Sequence, residues 1–151
     1  MPSPEPMEIL ELEIIKQIMD MDIIAIALGG GGIPVIRNAD GTIEGSEAVI
    51  DKDRSSSLLA NGIDADIFII STDADKVYLN YKKKDQKGLD LVHLDEIEEY
   101  YTQGHFPPGN MGPKIEAVMR YLRNGGKKAI ITTFEYLEDA LAGNAGTTIL
   151  P

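Results

Sequence analysis

Three short runs made almost wholly of apolar residues, Ile23 to Leu28, Ile67 to Ile70 and Ala129 to Thr133, each follow a stretch of helical periodicity and each end in glycines or small polar residues. That order constrains the fold most, because strands apolar on both faces belong in sheets covered on both sides, and the intervening helices supply the cover. Ahead of the first run, Met7, Leu10, Ile14 and Ile18, with Ile15 and Met19, recur at three- and four-residue steps, while Glu8, Glu11, Glu13, Lys16 and Gln17 fill the other face. This predicts an amphipathic helix over residues 7–20. Ahead of the second, Asp51 can cap a helix running to about Ala60, with Asn61 and Gly62 as its stop. Ahead of the third, Ile115, Val118, Met119 and Leu122 mark a helix that opens at Pro113 and ends at Gly125 and Gly126.

The remaining pieces fit the same plan. Asp40-Gly41 between Val35-Ile36 and Thr42-Ile43 predicts a small hairpin ending near Val49. Val77 to Tyr81 predicts a short strand before the polar loop Lys82 to Gly88, and Leu94 to Gln103 a helix with acidic residues in its first half. A short helix at 135–141 and a strand at 147–150 complete the chain. The expectation is an α/β fold, three-layer α/β/α with a mostly parallel sheet, in a single domain over residues 1–151 without repeats or an internal linker.

Charge and composition narrow the function. Lys and Arg number 14 against 25 Asp and Glu, a net charge of −11, opposite in sign to a chain that binds nucleic acid by neutralising phosphates. The absence of cysteine excludes disulfides, thiolate metal sites and cysteine nucleophiles. His93 and His105 are isolated, so both read as structural or surface residues; no metal site and no Ser-His-Asp arrangement is legible. The uncharged run Ile23 to Ile36, as long as any in the chain, contains four glycines and a proline and falls short of the ~20 apolar residues of a membrane span. The start resembles no secretory signal, and a cytoplasmic protein is expected.

Ligands of open parallel sheets bind outside the carboxyl ends of the strands. Here those ends carry Gly29, Gly30, Gly31 and Gly32, then Ser71-Thr72-Asp73, then Thr132-Thr133. Four glycines let backbone N–H groups approach an anion closely; the spacing fits neither standard phosphate-loop pattern, and a tight turn in a packed corner is the competing reading. Lys114, just after Pro113 at the start of a predicted helix, opposes the helix dipole unless an anion joins it there; an exposed, solvated lysine is the alternative. Asp51-Lys52-Asp53 reads either as a capped, solvated helix start or as a carboxylate fixing ammonium groups that neutralise a transferring phosphoryl group. Lys76, beside Thr72, Asp73, Asp75 and Tyr78, offers groups suited to a nucleotide. The other lysines of this region, Lys82, Lys83, Lys84 and Lys87, read as a solvated loop.

Gly29 to Pro34, Val49 to Asp53, Thr72 to Tyr81 and Gly109 to Lys114 stand in the order found in carbamate kinases. With Ala129 to Thr132 and Ala145 to Ile149, the chain resembles the C-terminal half of that family, within the amino-acid kinase superfamily, over nearly all its length. The resemblance implies a nucleotide-binding lobe and reversible phosphoryl transfer between carbamoyl phosphate and ADP, giving ATP and carbamate with Mg²⁺, commonly in arginine fermentation. By the same likeness, Lys114 contacts the nucleotide phosphates and the migrating group, Lys52 the phosphoryl region, and Asp53 organises the lysines. Thr72, Asp73, Lys76, Tyr78 and Gly109 line the nucleotide site, Met111 packs near the base, and Gly29 to Gly32 face the acyl phosphate. By that likeness the family's N-terminal substrate lobe, with its own glycine loop and a further lysine, is not expected among these residues. The alternatives are a truncated or split lobe that binds ADP or ATP without turnover, alone, as a homodimer or with a separate N-terminal half, and a superfamily kinase for another acid.

Overall fold

The computed structural model describes residues Met1–Pro151, which divide into two compact units, Met1–Ile63 and Asp64–Pro151.

The first unit holds helix α1 (Leu12–Asp20), strands β1 (Val35–Arg37) and β2 (Ile43–Gly45), and helix α2 (Lys52–Gly62). The hairpin forms as expected, Val35 pairing with Gly45 and Arg37 with Ile43, and Asp40 closes its turn by accepting the Thr42 amide at 3.0 Å. Helix α2 starts on Asp51, whose Oδ1 accepts the amides of Asp53 (2.9 Å) and Arg54 (3.0 Å), satisfying two of the donors a helix start leaves open.

Two expectations for this unit are corrected. Helix α1 begins at Leu12 rather than at residue 7: Glu11 caps it without a side-chain bond, and at the front of the expected stripe Met7 is 84% exposed. A short helix draws its stability from the packing of its apolar face. The run Ile23–Leu28 is not a buried strand. It pairs with no other segment, and Ile24 and Ile26 are 92% and 98% exposed.

The second unit contains strands β3 (Phe68–Ser71), β4 (Val77–Leu79), β5 (Lys87–Leu89) and β6 (Leu91–His93), helices α3 (Leu94–Thr102) and α4 (Met111–Arg123), strand β7 (Ala129–Thr132), a 3-10 turn at Phe134–Tyr136, helix α5 (Leu137–Leu141) and strand β8 (Thr147–Leu150). Its main sheet runs β3-β7-β8-β6. The outer pairs β3–β7 and β6–β8 are parallel and the central pair β7–β8 is antiparallel, so the sheet is mixed within a mostly parallel plan. All four residues of β7 are buried. Successive strand side chains point to opposite faces, so both faces are covered; α4 packs on β3 and β7, and α5 on β7. The layered α/β architecture expected from the sequence is present.

Strands β4 and β5 form a separate antiparallel hairpin, tied to the sheet through Thr147. Its hydroxyl donates to the Leu89 carbonyl and accepts the Val77 amide at 2.8 Å. The lysine-rich loop is the turn of this hairpin: the Lys82 amide donates to Gln86 Oε1 (2.7 Å) and Asn80 Nδ2 to Asp85 Oδ2 (2.7 Å), leaving Lys82, Lys83, Lys84 and Lys87 exposed.

Ile115, Val118, Tyr121, Ile130, Ile131 and Ile149 form the centre of the core. The Tyr121 ring lies 5.3 Å from that of Phe68, and its hydroxyl donates to the Ala65 carbonyl. A Cβ on Gly126 would come within 2.4 Å of this buried ring. Gly126→Ala should therefore lower stability by about 1–3 kcal/mol, the range for overpacking a core, read as a shift of the urea midpoint at unchanged slope.

Candidate functional site

In the first unit the glycine run is a compact turn. Leu28, Gly29, Gly31 and Gly32 all have positive φ, and the Gly31 amide donates to the Leu28 carbonyl at 2.9 Å. The four glycines differ in what surrounds them. A Cβ on Gly31 would lie 2.0 Å from the Ile50 carbonyl oxygen, whereas Gly29, Gly30 and Gly32 face open space. Gly31 thus takes the role of the packed corner, and its three neighbours leave their backbone open to approach. The same contact sets the glycine turn against Ile50, next to the start of α2. There Asp53 is buried at 7% exposure, and the Lys52 ammonium stands 3.1 Å from its Oδ1. A buried carboxylate beside an exposed ammonium holds that cation in place without being drawn into solvent itself.

In the second unit, β3 and β7 run parallel with Ser71 opposite Thr132, and the Thr72 amide donates to the Thr132 carbonyl at 2.9 Å. The polar ends Thr72-Asp73 and Thr132-Thr133 therefore lie side by side, as the strand-end argument requires. The hydroxyls of Thr132 and Thr133 are buried with no hydrogen-bond partner in the protein. Buried hydroxyls are normally satisfied, so each of these two carries unused hydrogen-bonding capacity at the carboxyl end of β7.

Lys76 and Tyr78 belong to the neighbouring hairpin. Lys76 forms an ion pair with Asp90, a hydrogen bond that raises its pKa above the ordinary lysine value. Burial, and then the Asp75 carboxylate to which its hydroxyl donates at 2.9 Å, raise that of the Tyr78 phenol. At neutral pH the first is a cation and the second a neutral donor. Gly88 opposes Tyr78 across the hairpin, and a Cβ there would come within 2.8 Å of the Lys76 chain and 3.1 Å of the Tyr78 ring. Sequence reasoning missed Asp90 and Gly88. The register that pairs Val77 with Leu89 is what brings them beside Lys76.

Gly109 has φ +91°, a conformation that favours glycine, and the chain then enters α4 at Met111. Pro113 therefore stands third in the helix rather than first, and Lys114 fourth. This is tolerated because the first four helical amides have no partner within the helix. Gly112 is pressed against the Pro107 carbonyl, which accepts its amide at 3.1 Å, and with buried Phe106 it anchors the segment ahead of Lys114. The two lysines of the expected phosphoryl region thus each stand near the start of a helix, Lys52 as the first residue of α2 and Lys114 as the fourth of α4.

An α/β fold with polar strand ends and lysines at two helix starts defines a class of domain suited to polyphosphate ligands. Residues 2–133 match the amino acid kinase family, and the chain belongs to that family. It is 51% identical over 150 residues to the carbamate kinase of Thermoplasma volcanium, covering 99% of this chain and 49% of that protein. It is 47% identical over 148 residues to the carbamate kinase-like protein YahI of Escherichia coli, covering 98% and 47%. Among solved structures, carbamate kinase from Giardia lamblia bound to AMP-PNP superposes with a TM-score of 0.96 at 42% identity, over 99% of this chain and 47% of that one. The chain spans about half the length of the curated relatives it matches.

Two outcomes follow from this geometry. Gly31→Ala should destabilise the start of α2 by about 2 kcal/mol or more, through both backbone strain and the clash with Ile50, seen as faster amide exchange at Asp53 to Ser55; Gly30→Ala should leave that exchange unchanged. Thr132→Val keeps the side-chain shape and removes an unpaired buried hydroxyl, so it should stabilise the unliganded chain by about 1 kcal/mol, measured by urea unfolding.

Proposed function

We propose that this chain is the nucleotide-binding lobe of a carbamate kinase-type phosphotransferase, in which a phosphoryl group passes reversibly between carbamoyl phosphate and ADP. The observation that carries the reading is the likeness of fold, over almost the whole chain, to a carbamate kinase holding an ATP analogue. In the direction of ATP formation, a β-phosphate oxygen of ADP bonds to phosphorus as the bond to the carbamate oxygen breaks, and carbamate leaves with that electron pair. Phosphoryl transfer of this kind needs positioning and charge neutralisation rather than a covalent nucleophile.

In this reading Lys114 and Lys52 are the cations that meet the polyphosphate, and Asp53, already 3.1 Å from the Lys52 ammonium, positions Lys52. Thr72, Asp73, Lys76, Tyr78, Gly109 and Met111 line the nucleotide site. Gly29, Gly30 and Gly32 face the acyl phosphate. Mg²⁺, which keeps several waters and takes its other ligands largely from phosphate oxygens, would neutralise further charge without an all-protein cage. No helix is long and apolar enough to cross a membrane, and the reading sets the protein in the cytoplasm, in arginine metabolism.

The half-length span favours a second reading, a lobe that binds ADP or ATP without turnover on its own. A coupled assay of ATP formation from ADP and carbamoyl phosphate separates the two, with thermal unfolding in Mg-ADP run alongside. Binding at about a hundred times the dissociation constant should raise the unfolding midpoint by roughly 5–10 °C, and Lys114→Ala should remove most of that rise. Turnover supports the first reading, a shift without turnover the second, and no shift with either nucleotide defeats both.

A further inference from the structure

One buried hydroxyl ties together the two strands of the hairpin that carries Lys76 and Tyr78. Thr147 opens β8 and is fully buried, on a strand with β7 on one side and β6 on the other. Its hydroxyl accepts the Val77 amide at 2.8 Å and donates to the Leu89 carbonyl. Val77 follows Lys76 in the chain, and Leu89 precedes Asp90. The next residue of β8 completes the attachment, since the Thr148 amide donates to the Asp90 carbonyl at 2.8 Å. The backbone beside each member of the Lys76–Asp90 ion pair is therefore hung on two adjacent residues of a central strand.

The ion pair needs that attachment. Its ammonium and carboxylate stand 2.5 Å apart, yet the Asp90 side chain is 82% exposed and that of Lys76 27%, so burial does not enforce the geometry. Pairs open to solvent are weakly held, partly because ordering the side chains costs entropy. Fixing both backbones in advance reduces that cost. Gly88 adds a second restraint, because the Lys76 chain and the Tyr78 ring lie against the space a Cβ would fill, 2.8 and 3.1 Å from it. The Asp90 hydrogen bond is also the chief cause of the raised Lys76 pKa, which makes the ammonium a reporter of the pair.

We infer that Thr147 is a positioning residue for the nucleotide site: through Val77 and Leu89 its hydroxyl sets the Lys76–Asp90 pair, and so fixes where the Lys76 ammonium meets a nucleotide. Thr147 acts wholly through Lys76. The role of Lys76 toward a nucleotide rests on the function proposed above, whereas the link from Thr147 to the ion pair does not. A side chain on a hairpin is placed accurately only where the hairpin is fixed to a rigid element. A hydroxyl can accept from one strand and donate to the other; valine keeps the shape and does neither, and serine does both.

The test compares Thr147→Val, Thr147→Ser, Lys76→Met and the double variant Thr147→Val with Lys76→Met in the full chain, with amide exchange in β3 and β7 as the check that the sheet is intact. Lys76 is titrated by NMR without nucleotide, and Mg-ADP affinity is measured by calorimetry. Thr147→Val should bring the Lys76 midpoint down toward the ordinary lysine value and weaken Mg-ADP binding about tenfold, the scale of one hydrogen bond to a charged group. Thr147→Ser should keep both near their original values. Lys76→Met should weaken binding to a similar degree, and adding Thr147→Val to it should cost less than about twofold more, whereas an independent structural effect adds in full. Thr147→Cys, a weaker hydrogen-bonding partner, gives the same readouts should valine disturb β3 and β7. An unchanged Lys76 midpoint, a shifted midpoint with undiminished affinity, or a loss that persists in full beside Lys76→Met would each overturn the inference. Absence of Mg-ADP binding by the unsubstituted chain would instead defeat the proposed function, with the Lys76 titration still deciding whether Thr147 sets the ion pair.

Discussion

The parallel pairing of Phe68–Ser71 with Ala129–Thr132 is the constraint on which the second unit depends. Parallel strands cannot be joined by a tight turn, so the chain from Thr72 to Lys128 must leave one end of the sheet and return to the other. That excursion carries the β4–β5 hairpin, α3 and α4, and with them Thr72, Asp73, Lys76, Tyr78, Gly109, Met111 and Lys114. Every candidate nucleotide residue of this unit lies on the return path that the pairing demands. The same pairing aligns Ser71 with Thr132, bringing two hydroxyl-bearing strand ends together where the sheet stops. Because β7 is buried on both faces, its polar end sits in a dry environment, where an unmet hydroxyl is costly.

The first unit is organised by polar contacts rather than apolar ones. Asp51 caps α2, Asp53 is buried against the Lys52 ammonium, and Gly31 fits under the Ile50 carbonyl. These contacts fix the glycine turn and the helix start relative to one another over a few residues. They supply little of the buried apolar area on which the stability of a small unit rests. A corner can thus be locally well defined while the unit that bears it has its apolar side chains exposed.

Much of this architecture was legible in the sequence. The hairpin at Asp40-Gly41, the Asp51 cap, strands β3, β7 and β8 and helices α2 to α4 follow from turn chemistry, capping residues and periodicity, which act over a few residues. What was not legible depends on neighbours far along the chain. The run Ile23–Leu28 expresses a preference for burial, but a preference does not supply a partner strand. The helical spacing from Met7 likewise extends beyond the helix that forms, since Met7 at its front stays exposed. Lys76 could be singled out as a useful cation, yet its partner Asp90 emerges only once the β4–β5 register is known. At Lys114 the residue was read correctly as opening a helix, and its position within the first turn shifted because Gly112 bonds back to Pro107 and starts the helix at Met111. The candidate site was therefore legible as residue types at strand ends and helix starts, while its mutual geometry required the fold.

A net charge of −11 is compatible with a polyphosphate ligand because charge acts locally. At physiological ionic strength, interactions between exposed charges fade beyond about 8 Å, so acidic residues scattered over the surface contribute little to the potential at a helix start. What matters is how the nearby cations are held. Lys127 and Asp66 pair in the open, both largely exposed, and such a pair contributes little and fixes little. Lys52 differs because its partner Asp53 is buried and sits on a capped helix. An incoming phosphate can share the ammonium without displacing the carboxylate that positions it. An acidic chain can in this way present a cation at a fixed point, with the surrounding negative charge screened.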